Sequence, residues 1–305
     1  MLAPLDWRPH AALELLQLDW LARAGVEVAV LRLDRIDPLI SGNKWFKLTE
    51  YLAAAGQAGA EGLISLGGAH SNHLHALAAA GKRFGFPTVG LLRGHPVDTP
   101  TVSDLHTFGM ELHWLGYEDY RQRHAPGFWE PWQARYPRFY PVPEGGGGLA
   151  GARGCAALSD RVGEQLAAIG WTDFHGWWLA VGTGTTAAGL VLVEAGRRPV
   201  YAALAVPNDH GVAPLIARIL AQAGTMNRGY ELIDACRGGF ARVDPALLAF
   251  IAESERQSAV PLEPLYTGKA LLALQEQVQA GRFAPGTRLV FVHTGGLQGR
   301  RGFTG

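Results

Sequence analysis

The chain has 305 residues, of which 48% are hydrophobic and 18% charged, a globular balance that excludes a disordered chain. Lys plus Arg equals Asp plus Glu at 27 each, so there is no basic field of the kind nucleic acid or anionic lipid needs. No run approaches the ~18 consecutive apolar residues of a membrane span, and the 2 cysteines, Cys155 and Cys236, form no CxxC pair, which argues against a zinc site or a disulfide framework.

A small-molecule partner is therefore the default. The opening MLAPLDWRPH lacks the basic start and apolar middle of a signal peptide, and a reducing cytoplasm is the expected location. The length is too great for one compact core of ordinary size and implies two lobes.

Short strand-like runs alternate with helical patterns. VEVAVLRLD (Val26 to Asp34) alternates as a strand, and Trp45 to Ala55 carries apolar residues at helical spacing. GLISLGG (Gly62 to Gly68) is a short apolar run. Ser71 to Phe84 is expected as a helix with Ser71 and Asn72 as candidate caps. TVGLLRG, a helix near Val102 to Met110, and ELHWLG complete a βαβαβ rhythm, which implies an open, mainly parallel sheet. A loop-rich zone follows, with PGFWEPW, RYPRFYPVP and the glycine run Gly145 to Gly148. Gly151 to Ile169 reads as helical, HGWWLAVGTGTTAAG as strand, glycine loop and helix, and PVYAALAV and TRLVFVHTGG as further strands. The fold class is α/β, with two mainly parallel twisted sheets flanked by helices.

Gly182, Gly184 and Ala187 match G-x-G-x-x-A between a strand and a helix, where backbone amides can grip a phosphate. Thr183, Thr185, Thr186 and Ala188 line that loop and suit a phosphate monoester. The same string opens dinucleotide sites, but the next strand ends in Pro207 and Asn208 rather than in an acid. A purely structural turn is the plain alternative.

Ser41-Gly42-Asn43-Lys44 sits between a strand and a helix. A lysine there is ordinarily a solvated surface group. It is also the residue whose amine condenses with an aldehyde cofactor once partly desolvated. Lys47, one turn on, can lower the amine pKa of Lys44 by its charge, or can be a surface charge. GGAHSNHLHALAAAG places Ser71, Asn72 and His73 at a second strand-to-helix junction suited to a substrate carboxylate. His70, His73 and His75 have no acid or cysteine to complete a metal set, so no metal is expected.

Taken in order, SGNKWFKLTEYL, SLGGAHSNHLHALAAAG, AVGTGTTAAGL, PLYTGKALLAL and FVHTGG resemble the family of 1-aminocyclopropane-1-carboxylate (ACC) deaminase and D-cysteine desulfhydrase. These are pyridoxal phosphate (PLP) enzymes of fold type II, the fold of tryptophan synthase β subunits. The resemblance runs from residue 41 to 296. It implies that Lys44 carries PLP, Asn72 contacts its ring oxygen, Gly182, Thr183, Gly184, Thr185 and Thr186 hold its phosphate, and Thr294 lies beside its pyridine nitrogen. It also implies that Ser71, Asn72, His73 and Tyr266 face the substrate, with Lys44, Ser71 and Tyr266 catalytic, and that the protein is a homodimer. Without the resemblance, Tyr266 reads as a core tyrosine. The implied domains are a larger one, 1–47 plus 162–305, and a smaller one, 48–161, with the site between them.

ACC deaminases carry a glutamate where this chain has Thr267 and a leucine where it has Thr294; threonine at both places resembles the D-cysteine desulfhydrases. ACC has no α-proton, whereas D-cysteine offers one and a β-thiolate that can leave. One departure stands out. The family's second active-site tyrosine, in a Gly-x-Tyr-Gly segment, corresponds here to Phe240 in GGFARVD, a substrate-binding position without a hydroxyl. The expected function is PLP-dependent α,β-elimination from a small amino acid, D-cysteine foremost. ACC deamination is the rival on the same scaffold, and a non-catalytic PLP-binding protein the rival of another class.

Overall fold

The computed structural model describes residues 7–302. Among the described residues, ten strands build two sheets. In chain order they are β1 (Leu13–Leu15), β2 (Glu27–Arg32), β3 (Gly62–Gly67), β4 (Thr88–Arg93), β5 (Glu111–Leu115), β6 (Phe139–Pro141), β7 (Gly176–Val181), β8 (Val200–Leu204), β9 (Tyr230–Asp234) and β10 (Arg288–His293). The six-stranded sheet runs β1-β2-β10-β7-β8-β9 and the four-stranded sheet β5-β4-β3-β6. Every pairing is parallel except β1 with β2.

Parallel strands covered by helices on both faces read as continuous apolar runs, and β3 (GLISLG) and β7 (GWWLAV) are buried at every residue. Trp177 and Trp178, adjacent on β7, point to opposite faces and are fully buried. Each indole keeps a partner: Trp177 Nε1 donates to Glu194 Oε1 at 2.8 Å and Trp178 Nε1 to the Ala270 carbonyl at 2.8 Å. They are core residues. A buried tryptophan removes roughly 200 Å² from water, on the order of 5 kcal/mol before the entropy of ordering it.

The expected α/β alternation is present, with differences that have local causes. Gly151 to Ile169 is not one helix but two, Gly148–Cys155 and Ala157–Gly163, followed by a 3-10 turn over Ala167–Ile169. Gly151 and Gly154 in the first are required by close packing: a Cβ at either would strike the carbonyl of Gly146 or of Phe46. The loop-rich zone holds the edge strand β6, paired with β3, too short and proline-bounded to show as a period-two pattern. The helix expected near Val102 to Met110 runs Pro100–Thr107 instead, with Thr99 accepting from Val102 N at 3.1 Å as its cap. Both cysteines are free and buried, and among the described residues no helix is long and apolar enough to cross a membrane.

Candidate active site

Parallel α/β sheets present ligand sites at the carboxyl ends of their strands, and four such ends meet here. The turn after β2 leads through Ser41-Gly42-Asn43 into the helix Lys44–Gln57, with Lys44 its first residue. The Asn43 amide donates to the Thr294 carbonyl at 3.1 Å, just past β10. Gly42 (φ +86°) and Gly295 (φ +78°) face one another so closely that a Cβ on either would overlap the other turn's backbone. The two turns, near opposite ends of the chain, are interlocked because β2 and β10 are neighbours.

Asn43 also reaches the glycine loop after β7: its Nδ2 donates to Thr186 Oγ1 at 2.9 Å. Thr186 is thereby turned inward as an anchor. The hydroxyls of Thr183 and Thr185 lie 3.2 Å apart at the start of the helix Thr185–Glu194. The glycine run packs directly on this loop: a Cβ at Gly145 would sit 3.7 Å from Thr183 Cγ2, and one at Gly147 3.9 Å from Thr185 Oγ1. Tyr51 hydroxyl bonds the Gly147 carbonyl and fixes the run from the Lys44 helix.

At the end of β3, Ser71 caps the helix Asn72–Phe84 by accepting from Leu74 N at 3.2 Å. Gln298 Nε2 donates to Asn72 Oδ1 at 2.8 Å, which orients the amide and leaves its Nδ2, beside Gly296, as the donor. Neither Gln298 nor this bond was legible in the sequence. The helix Thr267–Gln279 begins at Tyr266, whose ring is 3.1 Å from where a Cβ on Gly182 would lie. Burial raises the Tyr266 phenol above its ordinary pKa. Tyr266, half-buried against the core, also forms a wall of the glycine loop.

Burial pushes the Lys44 ammonium well below its ordinary pKa, and the charge of Lys47 adds to it. Lys47 is itself buried at 2% exposure, which rules out a surface role. Glu144, missed in the sequence, opposes the shift at Lys44; its carboxylate accepts from Tyr120 hydroxyl at 2.7 Å and from Arg123 Nε at 2.6 Å. Its only signal was an acid immediately before a glycine run.

Two buried charged residues brace Tyr266. Glu263 accepts from the amides of Leu265 (2.7 Å), Tyr266 (2.9 Å) and Thr267 (2.5 Å) and from Thr267 hydroxyl (3.1 Å). Thr267 is fully buried, its hydroxyl committed to this cap. Lys269, buried, donates to the carbonyls of Cys236 (2.8 Å), Gly239 (2.9 Å) and Phe240 (3.1 Å), using all three ammonium protons. These bonds hold the 236–240 loop so that the Phe240 ring, 39% exposed, meets Tyr266 edge-on at 5.6 Å between centroids.

Replacing Lys269 by methionine keeps the stem and strands three carbonyls. Amide exchange over residues 236–242 is expected to accelerate by about tenfold or more, at roughly 1–3 kcal/mol per lost charged bond; unchanged protection, read by mass spectrometry, would dismiss the staple.

The described residues contain no group of three or more metal-ligating side chains, and His70, His73 and His75 do not converge. His75 instead bonds Asp104 at 3.1 Å. A surface groove of about 520 Å³ lined by Trp20, Arg23, Phe250 and Glu253 shares no residue with this cluster.

Residues 9–295 match the protein family described as pyridoxal-phosphate dependent enzyme. The chain belongs to that family. The enzyme is 28% identical over 286 residues to a putative ACC deaminase of Pyrococcus furiosus, covering 90% of this chain and 86% of that one. To a D-cysteine desulfhydrase of Klebsiella pneumoniae it is 26% identical over 311 residues, covering 96% and 91%. A crystal structure of an ACC deaminase homologue superposes with a TM-score of 0.81 at 23% identity, covering 98% of this chain and 92% of that one; at that identity the likeness speaks for the fold. This is the α/β fold of two mainly parallel sheets found in type II PLP enzymes.

The enzyme's cofactor is PLP, and the clustered residues fit it. A depressed lysine amine suits the aldehyde. A glycine loop with two adjacent hydroxyls at a helix N-terminus suits the phosphate, and an amide whose oxygen is already held by Gln298 has an NH2 that suits a phenolate oxygen.

Proposed function

We propose that the enzyme carries out α,β-elimination on a small amino acid with a leaving group at Cβ, D-cysteine being the best candidate, giving pyruvate, sulfide and ammonia. The observation that carries this reading is the desolvated Lys44 amine at the meeting point of the strand-end loops. In this reading Lys44 bears the cofactor; Asn72 Nδ2 donates to its ring oxygen; Gly182, Thr183, Gly184 and Thr185 take its phosphate, with Thr186 bracing the loop through Asn43. Thr294 lies beside the pyridine nitrogen. When bound, PLP supplies the electron sink at the substrate Cα.

The chain's own residues do the rest. Ser71 and the amides at its helix N-terminus line the carboxylate side, with His73 buried behind them. The freed Lys44 amine, its pKa held down by desolvation and by the charge of Lys47, removes the α-proton. Tyr266 faces the departing group and Phe240 closes that side with an apolar edge. A hydroxyl at 294 holds no counter-charge at the ring nitrogen, so the sink is modest and suited to a good leaving group such as a thiolate. The two lobes, 48–161 and the remainder, with the site between them, a homodimeric state and a cytoplasmic setting belong to the same proposal.

ACC ring opening is the second reading, favoured by the name of the Pyrococcus relative. Thr267 bears on it, because the place of the ACC deaminases' glutamate holds a hydroxyl already spent on Glu263. Keto-acid release from D-cysteine, L-cysteine, D-serine and ACC, measured side by side on PLP-loaded protein, separates the two. Pyruvate from D-cysteine without 2-oxobutyrate from ACC is expected. Turnover of ACC favours the second reading, and inactivity on all four with PLP retained points to a binding protein or to a substrate selected by Phe240.

A further inference from the structure

His73 is buried at 2% exposure, and its two ring nitrogens are in different situations. Nε2 lies 2.8 Å from Ser65 Oγ, while the same Oγ donates to the Val142 carbonyl at 2.8 Å. Ser65 has a single proton, and a carbonyl can only accept. The Ser65 proton is therefore spent on Val142, and the Ser65–His73 bond must be donated by His73 Nε2. That fixes the tautomer: Nε2 carries the hydrogen and Nδ1 is a bare lone pair. Nδ1 has no hydrogen-bond partner although it is buried, a condition that costs about 1–3 kcal/mol.

The bare nitrogen lies on the side of the Lys47 stem. A Cβ at Gly146 would lie 3.6 Å from His73 Nδ1 and 3.0 Å from Lys47 Cβ, so ring and lysine stem converge on one point above the glycine run. Gly146 holds φ +64°, where its missing side chain keeps that space open. The Lys44 and Lys47 charges both act on the ring, and together with burial they hold His73 neutral. Lys47 is the charged neighbour that depresses Lys44. A Lys47 N–H directed at Lys44 would occupy the lone pair Lys44 needs.

We propose that His73 Nδ1 accepts an N–H of the Lys47 ammonium and so releases the Lys44 lone pair for attack. His73 is thus a positioning residue, acting through Lys47 on Lys44. Ser65 sets the tautomer that makes it an acceptor, and no proton leaves Lys47. The proposal rests on the reading of Lys44 as the cofactor lysine.

Asparagine and glutamine divide the two edges of the imidazole. In His73→Asn the side-chain carbonyl reaches the place of Nδ1 but not Ser65. In His73→Gln the side-chain amide reaches Ser65 but leaves no acceptor at the place of Nδ1. The experiment is the rate at which cofactor-free protein captures PLP at neutral pH, followed by visible absorption. Borohydride reduction and peptide mass spectrometry then locate the modified lysine, so no substrate is required. Capture by His73→Gln is expected to be about tenfold slower than wild type, with His73→Asn retaining most of the rate.

Equal rates in His73→Gln and wild type, or a slower His73→Asn than His73→Gln, would overturn the proposal in favour of a merely structural Ser65 tether. Circular dichroism of each variant sets aside loss of fold. Capture by wild type at a lysine other than Lys44 overturns both this proposal and the assignment of Lys44. Normal capture at Lys44 with no keto acid from any substrate touches only the proposed reaction.

Discussion

Lys44→Ala protein, loaded with PLP and desalted, is expected to lose the visible absorption of the wild type and any borohydride-trapped cofactor, and to release keto acid at least ~10²–10⁴-fold more slowly. The magnitude follows from the loss of two tasks, covalent retention and proton removal, with one amine. No neighbour replaces it. Lys47 is a neighbouring amine, but it is the member of the pair whose charge depresses Lys44, and its stem is packed at Gly146. The depressed pKa adds a signed corollary. Because burial lowers the Lys44 value well below that of a free lysine, the reactive neutral amine persists to lower pH. Capture of PLP by the wild type should therefore stay fast at neutral pH, where an exposed lysine is almost wholly protonated. A retained absorption band in Lys44→Ala would transfer the cofactor to another lysine and dismantle the site as drawn.

The other large effect is expected at Glu263, far from any reacting atom in function but central in construction. Glu263→Ala leaves the Leu265, Tyr266 and Thr267 amides and the Thr267 hydroxyl without their acceptor. Unsatisfied buried donors cost about 1–3 kcal/mol each, and part of that is recovered by relaxation, so a loss of roughly 3–5 kcal/mol is expected. Thermal melting should fall by roughly 10 °C. Glu263→Gln, which keeps one acceptor oxygen, should fall between the two. Because Tyr266 is set by this cap, cofactor affinity should drop along with stability. A melting point within a degree or two of wild type would show that the cap contributes little.

Much of this site was legible one loop at a time. Lys44 stood out because glycine and asparagine precede it at a strand-to-helix turn. The Gly182 loop stood out because its glycine spacing and threonines follow a buried apolar run, and Ser71 because a hydroxyl before an alanine-rich period is a cap. Those are local properties, governed by φ, by capping and by the period of apolar residues. Phe240 was set apart by likeness to a family segment, and its contact with Tyr266 now gives that position a physical surrounding.

What the chain could not display was pairing across distance. Gly42 meets Gly295 because β2 and β10 are adjacent, and that adjacency is a matter of sheet order. The same holds for Gln298 on Asn72, Glu144 acting electrostatically on Lys44, and Lys269 reaching three carbonyls some thirty residues away. Glu263 and Lys269 carried no signal of burial in the linear chain, since burial of a charge leaves no trace in composition. The tautomer of His73 depends on where one serine proton points, which depends in turn on the short strand β6 bringing the Val142 carbonyl beside β3. The fold class, the strand-end turns and the residue types that suit a PLP site could be read from the linear chain, because they follow from local sterics and hydrophobic period. Which turns meet, which charges are buried and which lone pairs stay free emerged with folding, because packing brings together segments that the chain keeps apart.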